Sequence, residues 1–219
     1  MAVHHSKSST PYLNTEQVER AYSRYAHLYD VTFGKLFREP RRTAVERLEV
    51  KSGEHILEVG VGTGISLTHY RKDCLITAID VSNEMLEHSQ SRVQRHHLGH
   101  VTLENMDAAN MRFSDNSFDA VMAAYVITAV PDHKTVIQEM VRVCRPGGRI
   151  LLLNHFSNGN QLIGSIERLV SPLCRHLGFR TDLNLQTVLD GTTLQVIRKR
   201  RVTPLGLGNL VECINLKAA

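Results

Sequence analysis

The 219-residue sequence has few cysteines and no arrangement of them that suggests a cross-linked or metal-bound domain. The four cysteines, none of them in a Cys-x-x-Cys pair, are Cys74, Cys144, Cys174 and Cys213. This scatter argues against a disulfide framework and against a zinc site, and it predicts free thiols in a reducing compartment. The N-terminal stretch MAVHHSKSSTPY also lacks the apolar core of a secretory signal. We therefore expect a cytoplasmic protein.

Long apolar segments are missing as well. The longest such run, from Ala120 to Val130, is interrupted by Thr128. Because a helix needs about 20 apolar residues to cross a bilayer, no transmembrane helix is expected.

Charge is unevenly distributed. Residues 1–140 carry 15 Lys and Arg against 18 Asp and Glu, whereas residues 141–219 carry 11 against 4. A basic C-terminal third can bind nucleic acid, anionic lipid or a phosphate-bearing substrate, or it can simply form a solvated face.

The N-terminal region is predicted to be helical. Asn14 can cap a helix and Gln17 completes a capping box. Apolar and aromatic residues then follow at spacings of four, three and four, namely Val18, Tyr22, Tyr25 and Tyr29. This spacing places the tyrosines on one face. After an interruption at Gly34, a second, basic helix is predicted from Arg41 to Leu48.

From residue 55 onward, strand-like and helical segments alternate, which is typical of a doubly wound α/β sheet with mostly parallel strands. The predicted strands are His55–Val59, Leu75–Asp80, Val101–Asn105, Ala120–Ala124, Arg149–Asn154, Leu194–Lys199 and Leu210–Leu216. The predicted helices are Ile65–Tyr70, Asn83–His96, His133–Val143 and one around Leu162–Leu177, with a turn at Arg145–Gly148. We expect seven strands ending in an antiparallel edge hairpin, with residues 1–50 as a helical segment and residues 51–219 as the main domain.

The first predicted strand runs into the segment HILEVGVGTGISL, in which Gly60, Gly62 and Gly64 alternate with other residues. Glycines at such a turn let a ligand approach the main chain and the N-terminus of the next helix. The third glycine does not follow the spacing of the dinucleotide-binding pattern. Glu58 precedes the turn and either contributes to the site or pairs with a local lysine.

Two carboxylates predict that the ligand is a nucleoside. Asp80 lies twenty residues after Gly60 at the end of the second strand, where it can accept hydrogen bonds from both hydroxyls of a ribose. Asp107 follows the third strand, where it can accept from an adenine amino group beside the backbone N–H of Ala108. Either aspartate could cap a helix instead. The prediction of a nucleoside ligand therefore depends on the glycine turn, Asp80 and Asp107 following one another in this order along the chain.

Taken together with the strand FDAVMAAY and the turn Arg145-Pro-Gly-Gly, these features resemble the class I S-adenosylmethionine-dependent methyltransferases over residues 50–156. The resemblance implies a Rossmann-like fold, S-adenosylmethionine as cofactor, S-adenosylhomocysteine as product, and no metal. It implies that Glu58 orients the methionine amino group, and that the three glycines leave room for the sulfonium and carboxyl groups. Further cofactor-binding residues implied by it are Val81, Met85, Met106, Ala108, Ala124 and Tyr125.

The methyl acceptor is predicted from other segments. The fourth strand is followed by AYVITAVPD rather than the N/D-P-P-Y/F motif of enzymes that methylate base or amide nitrogens, which argues against an extruded base. The run YSRYAHLYDVTFG from Tyr22 to Gly34 resembles a segment of bacterial phosphatidylethanolamine N-methyltransferases of the soluble, membrane-peripheral type. Asn154-His-Phe, LGFRTDL and Pro204-Leu-Gly extend the resemblance over most of the chain. Glu39-Pro-Arg-Arg departs from it, which leaves the role of Arg41 open.

This resemblance implies stepwise methylation of phosphatidylethanolamine by an enzyme docked on the anionic inner face of the cell membrane. Residues 1–50 would form a helical lid and membrane-docking segment, with Tyr22, Tyr29 and His155 catalytic. Tyr25, Asn154 and Arg180 would bind the substrate, with Arg180 gripping the phosphate. The tyrosines could also serve packing alone, His155 could be a core imidazole, and Arg180 could pair with Asp182.

Other functions stay open at this point. A quinone-precursor C-methyltransferase is the nearest alternative, followed by an RNA or small-molecule methyltransferase, although no nucleic-acid partner is expected. A nicotinamide-dependent oxidoreductase and a non-catalytic binding protein are the alternatives from other classes. The oligomeric state is not predicted.

Overall fold

The computed structural model describes residues 34–156, 183–202 and 208–218, with no side-chain description for residues 34–37. The helices are α1 (Gly34–Arg47), α2 (Asn83–Arg95), α3 (His133–Val143) and α4 (Leu185–Leu189), with a 3₁₀ helix at Ser66–His69. The strands are β1 (His55–Val59), β2 (Leu75–Asp80), β3 (Val101–Asn105), β4 (Phe118–Ala124), β5 (Cys144–Asn154), β6 (Leu194–Arg201) and β7 (Asn209–Asn215). The predicted helix around Leu162–Leu177 and the residues Tyr22, Tyr25, Tyr29 and Arg180 lie outside this part of the chain.

The seven strands form one sheet in the order β3-β2-β1-β4-β5-β7-β6. Strands β1 to β5 pair in parallel, whereas β7 is antiparallel to both β5 and β6. The predicted Rossmann-like sheet and its antiparallel edge hairpin are thereby confirmed. Because the carboxyl ends of the parallel strands meet at one edge, ligands are expected there.

Side chains of β1 point alternately to the two faces of the sheet, and a hydrophobic core lies on each face. Leu57 and Val59 pack on the side of α3, together with its buried Ile137 and Met140. Ile56 packs on the other side, in the same core as Ala44 and Leu48 at the end of α1. Glu58 alternates with Leu57, so its side chain belongs to the face that α1 covers.

The first described helix is longer than predicted, because it starts at Gly34 rather than at Arg41 and continues through Pro40. Proline removes a helical hydrogen bond, but Pro40 is buried, and Ala44 and Val45 of the helix lie in the core with Leu48, which follows it. This burial offsets the lost hydrogen bond. Ala44, Val45 and Leu48 share a core with Ile56 of β1, and the domain boundary at residue 50 stays a prediction.

The predicted turn at Arg145–Gly148 lies inside β5 as an irregularity. Phe118 pairs with Cys144 and Ala120 with Arg149, so the residues between them bulge out of register. A Cβ added at Gly148 would lie 2.5 Å from Sγ of Cys144 and 2.9 Å from the carbonyl oxygen of Asp119. Glycine is therefore required where this bulge crosses β4.

Candidate cofactor and active site

A cavity of about 200 Å³ lies at the carboxyl ends of the parallel strands. Ten of the twelve predicted cofactor-binding residues line it: Gly60, Gly62, Asp80, Val81, Met85, Met106, Asp107, Ala108, Ala124 and Tyr125. Glu58 and Gly64 do not. The fold thus gathers residues from the ends of four strands around one space.

The first two glycines shape the floor of the cavity. Gly60 has φ +66°, and a Cβ added there would lie 2.3 Å from Cγ2 of Val126. Gly62 has φ +57° and faces open space, while its N–H donates to Oδ2 of Asp80 at 2.8 Å. A side chain at Gly62 would project into the space that a ligand needs, and its conformation favours glycine.

Gly64 lies against α2. A Cβ there would lie 2.8 Å from Oγ of Ser89, and the Ser89 hydroxyl donates to the carbonyl oxygen of Gly62 at 2.7 Å. The third glycine therefore lets α2 pack against the turn, and it does not line the cavity.

Asp80 holds the turn and the start of α2 together. Its Oδ2 accepts from Gly62, and its Oδ1 accepts from the N–H of Ser82 at 3.0 Å. Ser82 in turn caps α2 by accepting from the N–H of Met85 at 3.3 Å. The half-buried carboxylate lines the cavity, and carboxylate oxygens are acceptors that suit the hydroxyls of a ribose.

Asp107 lies on the neighbouring wall, which is tied to β2 because the N–H of Met106 donates to the carbonyl oxygen of Asp80 at 3.0 Å. Oδ1 of Asp107 accepts from the N–H of Ala109 at 2.9 Å. The carboxylate is exposed, and both Asp107 and Ala108 line the cavity. This placement fits the predicted adenine contact.

Glu58 is buried behind the glycine turn with 1 % of its surface exposed. The Ser66 hydroxyl donates to its Oε1, while Oε2 has no hydrogen-bond partner in the described part of the chain. Burial raises the pKa of Glu58 to about 7, against the opposing effects of the hydrogen bond from Ser66 and of the positive charge of Arg41. This buried carboxyl, two residues before Gly60, thus keeps one acceptor oxygen for a further partner.

Tyr125 has φ +64°, which is unusual for a bulky residue and marks a position that its surroundings enforce. Its N–H donates to the carbonyl oxygen of Leu153 at 2.6 Å. The guanidinium carbon of Arg41 lies 4.9 Å from the centre of the Tyr125 ring, and the His155 ring lies 5.2 Å away. Arg41 and Tyr125 both line the cavity, so α1 contributes to the site.

Arg41 was not predicted as a site residue. The sequence indicated a basic helix there, but which of the adjacent arginines faces the cavity depends on how α1 packs. The sequence also missed the cavity wall formed by Ala129, Val130, Pro131, Asp132 and Val136.

His155 and Asn154 follow the expected strand end but do not line the cavity. His155 is half-buried against Tyr125. Asn154 is fully buried, and its Oδ1 accepts from the Thr128 hydroxyl at 2.8 Å. This side chain thus supports the segment after β4, and its predicted contact with a substrate stays a prediction.

The charges around the cavity favour a positively charged nucleoside over a dinucleotide. Among the described lining residues, the only basic one is Arg41, whereas Asp80, Asp107 and Asp132 are acidic. Within residues 34–156, 183–202 and 208–218, no group of three or more His, Cys, Asp or Glu side chains is placed to hold a metal ion. In the same ranges, no helix has the length and apolarity needed to cross a membrane.

Comparisons with known proteins agree with this geometry. Residues 57–152 match a family model described as a methyltransferase domain. The chain is 35% identical over 196 residues to a phosphatidylethanolamine N-methyltransferase of Cereibacter sphaeroides, covering 89% of this chain and 96% of that protein. It is 30% identical to a demethylmenaquinone methyltransferase of Alkalihalophilus pseudofirmus, over 62% of this chain and 59% of that protein.

A solved S-adenosylmethionine-dependent methyltransferase of Aquifex aeolicus has the same fold, with a TM-score of 0.67 and 18% identity over 88% of this chain and 97% of that one. Fold, cavity and sequence similarity therefore agree, and the chain belongs to the class I S-adenosylmethionine-dependent methyltransferases.

Proposed function

We propose that this methyltransferase acts on the amine of phosphatidylethanolamine and converts it stepwise towards phosphatidylcholine. The observation that carries the proposal is the length of the similarity to the Cereibacter sphaeroides enzyme, which includes 96% of that protein. The similarity to the Alkalihalophilus pseudofirmus enzyme extends over 59% of that relative. Because of this similarity, quinone C-methylation is the second candidate.

The cofactor is proposed to lie with its ribose at Asp80, its adenine at Asp107 and Ala108, and its methionine end over Gly60 and Gly62. When bound, it supplies a methyl group on a sulfonium for in-line displacement by the acceptor nitrogen. As the nitrogen–methyl bond forms and the sulfur–methyl bond breaks, the proton of the amine has to leave. We propose that His155, Tyr22 or Tyr29 passes this proton on to water.

No strong base is needed for this step. With a lysine-like pKa of about 10.4, roughly one acceptor amine in 2,500 is neutral at pH 7, which costs about 4.6 kcal/mol. Alignment of reacting groups contributes roughly 7 to 11 kcal/mol in model reactions and can offset that cost. The task of the protein is therefore to hold amine and methyl group in line.

The phosphate of the acceptor requires a cation near the cavity. Arg41 supplies a guanidinium at the cavity wall, above the ring of Tyr125. A guanidinium can bind phosphate through two parallel hydrogen bonds. We propose that Arg41 binds the lipid phosphate together with Arg180, with Tyr25 beside them.

Reaching a lipid also requires a membrane-facing surface. Strand β6 ends in the exposed residues Arg198, Lys199, Arg200 and Arg201, preceded by Val196 and Ile197, which are 41% and 58% exposed. Basic residues near an anionic leaflet contribute about 1 kcal/mol each. We propose that this edge docks on the inner face of the cell membrane.

The test is a transfer assay with radiolabelled cofactor and separate pools of phosphatidylethanolamine vesicles, demethylmenaquinone in detergent, and total RNA. We expect label in mono-, di- and trimethylated lipid separated by thin-layer chromatography. Label in the quinone alone would replace the proposal by the second candidate. Binding of S-adenosylhomocysteine without transfer to any pool would contradict both.

A further inference from the structure

The side chain of Arg142, near the end of α3, uses all five N–H groups of its guanidinium as donors. Nε donates to Oε1 of Glu139 at 2.7 Å. One terminal nitrogen donates to the carbonyl oxygen of Phe113 at 2.7 Å and to Asp115 at 2.8 Å. The other donates to the carbonyl oxygen of Met111 and to Oε2 of Glu139, at 2.8 and 2.9 Å. No donor is left for solvent.

These bonds attach the loop at residues 111–116 to α3. Oε2 of Glu139 also accepts from the N–H of Met111 at 2.7 Å, and the N–H of Asn116 donates to the carbonyl oxygen of Arg142 at 3.1 Å. The hydrogen bond from Arg142 holds the pKa of Glu139 below its usual range, so the pair stays ionised at neutral pH. Residues 111–116 are thus fixed to the helix by both side-chain and backbone contacts.

The segment that leads into this loop, residues 106–109, forms one wall of the cofactor cavity. Met106, Asp107, Ala108 and Ala109 line the cavity, whereas Arg142 does not. The N–H of Met106 is bonded to Asp80, so the segment from 106 to 111 is held at both ends. Between these anchors lie the two residues placed against adenine, Asp107 and Ala108.

We propose that Arg142 is a positioning residue for the adenosine end of the cofactor, acting through the loop at residues 106–116. This inference rests on the adenine placement proposed above, and it does not depend on which acceptor is methylated. A lysine keeps the charge but has three donors and no planar fork, so it cannot hold Met111, Phe113 and Glu139 together.

The test compares two ligands on wild type and on Arg142→Lys by isothermal titration calorimetry. S-adenosylhomocysteine carries adenosine and the amino acid, whereas 5′-deoxy-5′-methylthioadenosine carries adenosine without the amino acid. We expect Kd to rise about tenfold for both ligands in the variant, which lies within the range found for residues that contact neither ligand. In the transfer assay, KM for the cofactor should rise while kcat at saturation stays within about twofold.

The matched control is Arg71→Lys, which breaks a bidentate pair with Asp73 away from the cavity lining and should leave both Kd values unchanged. Asp115→Asn gives a milder variant if Arg142→Lys does not fold, because it weakens one of the five bonds, and a smaller but equal loss for both ligands is expected. Unchanged affinity in a folded variant would overturn the proposal. So would a much larger loss for S-adenosylhomocysteine, since that places the effect at the methionine end.

Discussion

The three glycines after β1 show how one regular spacing can meet three separate needs. Gly60 allows the close approach of Val126, Gly62 opens the cavity beside Asp80, and Gly64 admits Ser89 of α2. The spacing in the sequence predicts a bare backbone at all three positions. Only the packing of α2 shows that Gly64 makes room for Ser89 of this helix.

Glu58 is expected to make stability depend on pH. Because burial raises its pKa from 4.5 to about 7, the folded state binds the proton more tightly than the unfolded state does. The resulting stabilisation is fully present below pH 4.5 and is lost as the pH rises through about 7. Glu58→Gln has no such dependence, so its stability relative to wild type should increase by about 3 kcal/mol between pH 4.5 and pH 8.

Urea unfolding of both proteins at pH 5, 6, 7 and 8 measures this difference. Glu87→Gln, which changes an exposed carboxyl on α2, controls for the loss of one negative charge. A stability difference between Glu58→Gln and wild type that stays constant over this range would contradict the assignment of the titration to Glu58.

At the scale of elements, the edge hairpin reinforces the sheet and the end of α3. The side-chain amide of Asn215 in β7 donates to the carbonyl oxygens of Val141 and Cys144, both at 2.9 Å. Nζ of Lys217 donates to the carbonyl oxygen of Val141 at 2.8 Å. The last carbonyls of a helix have no partner within the helix, so Asn215 and Lys217 add donor contacts at the end of α3 beside the Cys144 N–H that donates to Met140.

The outer strand of this hairpin, β6, is the proposed membrane-docking surface, and a reversal of charge on it tests that proposal. Lys199→Glu with Arg200→Glu removes two positive charges and adds two negative ones on β6, so binding to vesicles rich in phosphatidylglycerol should fall at least tenfold. Sedimentation with anionic and with neutral phosphatidylcholine vesicles measures it. The matched control, Arg71→Glu with Lys72→Glu, makes the same charge change at an exposed turn between the 3₁₀ helix and β2. Equal loss of binding in both double variants would show a general charge effect and no docking by β6.

Across the whole molecule, the sheet was predictable because each strand is a short run with its own composition and turn signals. The β1, β2, β3 and α3 segments have the predicted bounds. The extension of α1 back to Gly34 and through Pro40 was not predictable, because both residues indicate a break locally. The burial of Pro40, Ala44 and Val45 that supports this helix is visible only in the fold. Arg41 and Arg142 were missed for a related reason: their partners lie far along the chain, and spacing does not show such contacts.

Binding of the cofactor should stabilise the entire fold, since its cavity joins the ends of four strands, α1 and α2. A ligand that binds only the folded state at about 100 times its Kd adds about 2.7 kcal/mol. For a chain of this length, that corresponds to a rise in Tm of roughly 5 to 10 °C.

Scanning calorimetry with S-adenosylhomocysteine measures this shift, and NADH at the same concentration serves as the comparison. NADH should leave Tm unchanged, because the glycine spacing differs from the dinucleotide pattern and three aspartates line the cavity, where a pyrophosphate would be repelled. Asp80→Asn keeps the size of the side chain but weakens its hydrogen bonds to ribose hydroxyls, so the shift should shrink to a few degrees. Stabilisation by NADH alone would contradict the placement of a cationic nucleoside in this cavity.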